Sequence, residues 1–322
     1  MKITDFSGKN RQFMTQRKSL DLLAFTAMII FCLIMGAQQT AMKDIAFDLS
    51  PTLQVAIRSS LAACMIWCIM FAKNESFNWR PGALKFALLA GSFMGVEFLL
   101  LGKALLYTSA AHSVVFLYSA PIFTALLLHF KVKEERLQLV QWLGILSAFV
   151  GLALAFLGGS SLTASASGDV WVGDALAIAA ALVWSLSTVT IRGSVLAHIS
   201  VKQTLFFQLL ACSVVLFVYA ILMEPLVVHV HSSLIWNMVF QTVVVSFAAF
   251  LIWFWLLNHY VAAQISGLSF ITPMFGVMFG VVLLGEPLEM NFLVGAALVL
   301  CGLVCINRKV TKLSEATSTA NC

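Results

Sequence analysis

The stretch Ser119-Ala120-Pro121-Ile122-Phe123, followed by Lys131-Val132-Lys133-Glu134-Glu135-Arg136, has a second version further along the chain. That version reads Ile271-Thr272-Pro273-Met274-Phe275, followed by Leu284-Gly285-Glu286-Pro287-Leu288-Glu289. Pro121 and Pro273, Phe123 and Phe275, and Glu134 and Glu286 are each 152 residues apart, as are Ala110-Ala111 and Ala262-Ala263, and Leu105 and Leu257. One residue drops out after the glutamate, so that Gly144 matches Gly295 and Gly151 matches Gly302 at an offset of 151. Self-similarity at a fixed long offset marks a duplicated unit. Each copy carries small residues, a proline in mid-helix, a glutamate at a turn and a Gly-x6-Gly pair. The two turns differ in charge: the first is basic, and the second has no basic residue.

Around this repeat the chain is built for hydrocarbon. Of its 322 residues 61% are apolar and 10% charged, with mean hydropathy +0.97. Soluble domains carry roughly 25% charged residues. Ten apolar blocks, each near the length that crosses a bilayer as a helix, lie at about 20–42, 51–72, 82–102, 109–129, 137–157, 171–190, 202–223, 234–256, 261–284 and 289–306. Nothing alternates with period two, so the spans are helices rather than barrel strands. The expected fold class is an all-α polytopic membrane protein, ten transmembrane helices arranged as two inverted five-helix repeats. A basic tail, 1–19, precedes the first repeat, 20–158; a linker, 159–170, leads to the second repeat, 171–306, and a tail, 307–322. The first span is expected to be a signal anchor that stays, because no small-residue cleavage site follows it.

Charge sets the direction. Sixteen of the 19 lysines and arginines fall in tails and turns that an N-terminus-inside topology places on one side. The other side keeps Lys43 and Lys103, and Arg58 lies within a span. Cytoplasmic loops collect such residues, so both termini are expected in the cytoplasm. Five spans per copy is an odd number, so the second copy enters the membrane upside down. Inverted repeats are a transporter architecture, with the solute bound between the halves.

At these residues the chain resembles the EamA family of the drug/metabolite transporter superfamily. The likeness is carried by Ala104-Leu-Leu-Tyr107-Thr-Ser-Ala110-Ala111 with Ser119-Ala-Pro121 and Glu134, by Gly173-Asp-Ala-Leu-Ala-Ile-Ala-Ala-Ala-Leu-Val-Trp184, and by Ile271-Thr-Pro273 through Leu284-Gly-Glu286. It covers about residues 20–306. It implies a ten-helix carrier in a bacterial inner membrane, often an exporter of amino acids or related metabolites. Glu97 departs from the family pattern and points to a specialised solute or a private ion pair.

Charges inside spans are costly and mark sites of function. Arg58 lies roughly 12 Å, and Glu97 roughly 8 Å, below the outer end of its span at 1.5 Å per residue. Two readings stay open. Arg58 and Glu97 form a helix-pinning bridge, or Arg58 binds a substrate carboxylate while Glu97 takes an amine or a proton. Gln38, Gln39 and Thr40 need polar partners in lipid, and His112, on one face with Phe116, Ser119 and Phe123, is either a proton carrier or a hydrogen-bonded wall residue. Tyr118 and Trp184 supply aromatic surface for a solute. Gln38, Gln39, Arg58, Glu97, His112, Tyr118 and Trp184 are thus the candidate substrate-binding set, with Pro121 and Pro273 as hinges that free the carbonyls of Leu117 and Ser269. Because spans seven to ten hold no charge in their interiors, polar recognition is expected mainly from the first copy. His229-Val-His231 reads as a solvated outer loop, and Gly91-x-x-x-Gly95 as a helix-packing surface.

The seven cysteines lie almost entirely in apolar spans, without histidine partners, and call for neither metal nor cofactor. No basic stripe interleaved with aromatics suits nucleic acid. An enzyme would need a catalytic constellation, and no HExxH, intramembrane aspartate pair or serine with a matched base occurs. No GxxxxGK[ST] occurs either, so energy comes from a gradient, proton coupling included, or from the solute. The alternative to a transporter is a structural or receptor-like membrane protein. The partners expected are a small solute and the bilayer, with monomer and homodimer both open. Reporter fusions after residues 165 and 287 are expected to read external, and those after residue 134 and at the C-terminus cytoplasmic; a cytoplasmic reading at 287 breaks the inversion.

Overall fold

A computed structural model describes residues 20–78, 80–104, 106–107, 110–132, 137–157, 170–225, 228–284 and 290–306. Helices α1 (Leu22–Asp44), α2 (Pro51–Ala72) and α3 (Ala83–Ala104) are each one span. Segments α4 (Ala110–Leu117) and α5 (Ala120–Lys131) share the fourth, and α6 (Leu139–Leu157), α7 (Val170–Arg192) and α8 (Val201–Met223) form the next three. The eighth joins α9 (Ser232–Val239), a π-helical stretch Phe240–Ala249 and α10 (Phe250–His259). The ninth pairs α11 (Ala262–Leu268) with α12 (Ile271–Leu284), and α13 (Met290–Ile306) is the tenth. The fold is all-α with ten spans, as the apolar blocks predict.

Two expected spans are broken, and the prolines explain where. Pro121 is among the first residues of α5 and has no N–H to give Leu117, the last residue of α4. In the second copy Ser269, whose carbonyl Pro273 leaves without its α-helical donor, accepts instead from Thr272 N at 2.9 Å. Each break also carries a serine that bonds backward, Ser119 Oγ to Phe116 O and Ser269 Oγ to Ser266 O, both at 2.6 Å. Both breaks are buried in protein: Tyr118, Ser119, Ser269 and Phe270 are all shielded.

The helices of the two copies pair antiparallel at glycines. A Cβ on Gly144 would meet Gly302 O at 2.6 Å, and one on Gly151 would meet Gly295 O at 2.6 Å. Since Gly144 matches Gly295 and Gly151 matches Gly302 in the repeat, each glycine touches the counterpart of the other. That reciprocity is the contact pattern of a two-fold relation. Helices α2 and α8 pair the same way. Ser50 Oγ and Thr52 Oγ1, at the start of α2, donate to Glu224 at the end of α8 at 2.7 and 2.6 Å. At the opposite end Lys202 pairs with Glu75, while Gln203 and Asn78 exchange bonds at 2.8 and 3.1 Å. Gly91 and Gly95 pack on Gln208, Ala211 and Val215 of α8, so that surface serves contact within the chain.

The His229-Val-His231 segment is more than a solvated loop. Leu49 and Val228 form an antiparallel bridge, His229 N donates to Asp48 O at 3.0 Å, and His231 Nε2 lies 2.9 Å from Asp48 Oδ2. His231 Nδ1 accepts from Leu234 N at 3.2 Å and so caps α9. A short α1–α2 connection thereby holds the α8–α9 connection across the two copies.

Gly144→Leu is expected to force α6 off α13 and cost at least about 1–3 kcal/mol, the range for overpacking a tight contact. Gly102→Leu, where a Cβ meets nothing within 4 Å, is expected to be silent. Thermal melting of the detergent-purified variants measures both; equal melting temperatures contradict the tight crossing.

Candidate functional site

Arg58 points inward from α2 and is 1% exposed. A guanidinium stays protonated in proteins, and a buried charge needs partners close at hand. Here they are neutral. Nη1 donates to Gln241 Oε1 at 3.2 Å and lies 3.8 Å from Met42 Sδ. With the Gln38 amide oxygen turned toward it, that oxygen accepts from Nη1 at 2.7 Å and Nη2 at 3.0 Å. The Phe98 ring lies 5.6 Å from the guanidinium carbon, within cation–π range. Arg58 Nε is buried and has no partner.

Helical spacing of four builds the surroundings. Gln54 and Arg58 share a face of α2, Gln38 and Met42 a face of α1, and Asn237 and Gln241 meet across the α9–π junction. Gln241 Nε2 donates to Gln54 Oε1 at 2.8 Å and to Asn237 Oδ1 at 2.9 Å. Gln54 Nε2 donates to Leu49 O at 2.8 Å and Met42 O at 3.2 Å. Asn237 Nδ2 reaches Ala41 O at 2.8 Å and Asp44 Oδ2 at 3.4 Å. A run of amides thus leads from Asp44, at the membrane edge, to the buried guanidinium.

The polar cluster draws on both copies, where the sequence predicts polar groups mainly from the first. Gln241 and Asn237 come from the second copy and hold the cluster together. The rule that picked out Gln38, that an amide in an apolar span needs a partner, applies equally to Gln54 and Gln241. The direct Arg58–Glu97 bridge is also absent: among the described residues no ion pair joins them, and amides take the place a carboxylate would have. Glu97 is half-buried on α3, and Cys212 of α8 borders Arg58.

A second group forms where the broken helices meet. Tyr118 sits at the α4–α5 break with its ring 5.7 Å from Trp184, edge to face. Thr272, just past the α11–α12 break, adjoins both Tyr118 and Cys32, and Cys32 Sγ lies 3.8 Å from Leu268 O. Phe31 and Trp253 stack nearby at 5.1 Å. Of the seven sequence candidates, Gln38 joins Arg58, Tyr118 and Trp184 meet at the α4–α5 break, and Glu97 stands on α3 with no bond to either group among the described residues. The side chains of Gln39 and His112 lie outside the described residues. Toward the other membrane face, Arg192 Nη2 donates to Tyr260 O at 3.4 Å, and Tyr260 Oη donates to both Asp21 oxygens at 3.0 Å. Desolvation, with the Asp21 carboxylate beside it, raises the Tyr260 phenol above its ordinary pKa.

A groove of about 540 Å³ between α2 and the π segment is lined by Leu61, Cys64, Met65, Cys68, Ile69 and Thr242. Its exposed Leu61 and Cys64 mark it as lipid-facing surface. Among the described residues no cluster of His, Cys, Asp and Glu suits a metal ion.

Comparison with known proteins adds an independent line. The profile of the EamA-like transporter family matches residues 22–157 and again 171–308. The chain is 25% identical over 279 residues to the uncharacterized transporter YoaV of Bacillus subtilis (strain 168), covering 86% of this chain and 94% of that one. It is 25% identical over 298 residues to the uncharacterized transporter sll0355 of Synechocystis sp. (strain ATCC 27184 / PCC 6803 / Kazusa), covering 85% and 86%. A solved crystal structure shares the fold, with a TM-score of 0.76 at 20% identity over 88% of this chain and 96% of that one.

If neutral amides hold Arg58, Gln38→Leu should cost roughly 1.5–3 kcal/mol, the scale of a hydrogen bond to a charged group. Adding Arg58→Leu should recover part of that loss, because the apolar pair leaves no buried charge unmet. Melting temperatures of the single and double variants decide it; an unaffected single variant removes Gln38 from the cluster.

Proposed function

The chain belongs to the EamA-like transporter family, whose members are transporters rather than enzymes, and on that premise we propose that it is a secondary transporter moving a small metabolite across a bacterial inner membrane by alternating access. The observation that carries the reading is Arg58: a guanidinium 1% exposed and, among the described residues, held by neutral groups with Nε unpartnered. A charge kept in a membrane interior without a counter-charge is poised for an anionic group arriving with the solute. An amino acid or related carboxylate, moved outward, fits this chemistry. Its carboxylate would face Arg58, Glu97 would take an amine or a proton, and Tyr118 and Trp184 would pack the remainder. The breaks at Pro121 and Pro273 lie beside this second group and supply the bending points. Both termini are placed in the cytoplasm, following the lysine and arginine bias.

The test is a growth screen in which strains overproducing the wild type and Arg58→Lys meet toxic concentrations of amino acids and related carboxylates. Export predicts resistance to one class with the wild type. It also predicts loss of that resistance with Arg58→Lys, which keeps the charge but not the planar fork. The class found is then followed as flux in everted vesicles. Resistance that survives Arg58→Lys removes the guanidinium from recognition, and absence of flux for every compound favours the structural or receptor-like alternative.

A further inference from the structure

Gln241 occupies a position that an arriving carboxylate would need. We propose that Gln241 is a specificity-determining residue that acts as an internal stand-in: its amide oxygen holds Arg58 Nη1 until a solute carboxylate takes that place. This rests on Arg58 being the solute anchor.

The geometry separates the two ends of the amide. Nε2 is fixed by two acceptors, Gln54 Oε1 at 2.8 Å and Asn237 Oδ1 at 2.9 Å. The oxygen makes one longer bond, 3.2 Å to Nη1. A small tilt of the amide releases the oxygen while the nitrogen keeps its acceptors. The backbone beneath Gln241 is also unusual. It is π-helical over Phe240–Ala249, a rare geometry that recurs at functional sites. The next hydroxyls along it, Thr242 Oγ1 and Ser246 Oγ, are buried without a hydrogen-bond partner, so they do not lock the segment to its neighbours.

A stand-in of this kind filters solutes. Hydrogen bonds to an ionised acceptor are roughly twice as strong as neutral ones. A carboxylate therefore gains by replacing the amide oxygen at Nη1, whereas an uncharged amide only exchanges like for like. The competitor raises the threshold for every solute and leaves anions above it, which is specificity by exclusion. Gln241 belongs to the second half and Arg58 and Gln38 to the first, so the same exchange removes a bond that holds the two halves together.

The test uses the full chain in nanodiscs, with benzoate as the carboxylate probe and benzamide as its neutral counterpart, read by thermal shift. Benzoate is expected to stabilise the wild type, and benzamide is not. In Gln241→Leu the benzoate midpoint should fall on the order of tenfold, the size of one hydrogen bond to a charged group. Gln241→Asn keeps the amide but withdraws it by one methylene and provides the same readout if the leucine variant does not fold. Gln241→Glu installs a permanent occupant and should lose the benzoate response while melting higher. An unchanged midpoint in the Leu or Asn variant, with the response abolished in Arg58→Met, overturns the stand-in and leaves the anchor reading intact. No response in the wild type, or a response that persists in Arg58→Met, overturns the anchor and the stand-in together.

Discussion

A peptide group inside a bilayer has no water to bond with, so a helix here can stop pairing its own backbone only where protein surrounds it. That constraint governs the arrangement. Among the described residues regular α-helix is interrupted within spans at Tyr118-Ser119 and Ser269-Phe270, both buried in protein, and over Phe240–Ala249, which turns Gln241, Thr242, Val245, Ser246 and Ala249 inward while Val243 stays exposed. The two proline breaks come from corresponding parts of the two copies, and Tyr118 meets Thr272 across them. Glycine makes this closeness achievable, because the approaches of α6 to α13 and of α3 to α8 leave no room for a Cβ. Irregular backbone and polar side chains thus collect in one interior, and the lipid-facing shell stays helical and apolar.

Within that interior the costliest group is Arg58. Removing a guanidinium from water is recovered only through close partners, and four neutral contacts with one unpartnered N–H among the described residues leave the recovery incomplete. A residue selected for stability alone would be matched with a carboxylate or replaced by an apolar side chain of similar size. Glu97 is on the neighbouring helix α3, yet it is not drawn into a pair.

Much of the fold was legible in the sequence. Span number, span limits to within a few residues, and the duplicated unit all follow from hydropathy and from the offset linking Pro121 to Pro273, since both are local properties of the chain. The candidate site was legible in part. Arg58 and Glu97 stand out because charge in a span is rare, and Gln38 because an amide in an apolar span needs a partner; the same rule reaches Gln54 and Gln241, but which amides meet Arg58 depends on the helices opposite. The π-helical stretch gave no warning for a similar reason. Phe240–Ala249 contains no proline or glycine, and its widened turns depend on packing against α2 and α1. The same holds for the Asp48–His231 contact, where a loop histidine finds its partner far away in sequence.

The duplication also supplies an internal control on Arg58. Ser50 and Ser200 stand at the N-cap positions of equivalent helices, α2 and α8, Ser50 alone bonding the helix with its side chain, and eight residues beyond them stand Arg58 and Gln208. The two positions have related surroundings: Arg58 meets the amide of Gln38 and the sulfur of Met42, and Gln208 Nε2 meets Ser187 Oγ at 3.2 Å and Met94 Sδ at 3.7 Å. Each copy therefore needs a long polar side chain at this depth, and in the second copy a neutral glutamine meets that need. The positive charge in the first copy exceeds what the architecture requires. A two-fold scaffold that places charge on one side of its axis has acquired a polarity that its packing does not demand. That surplus charge supports the binding role proposed for Arg58 over a purely structural one.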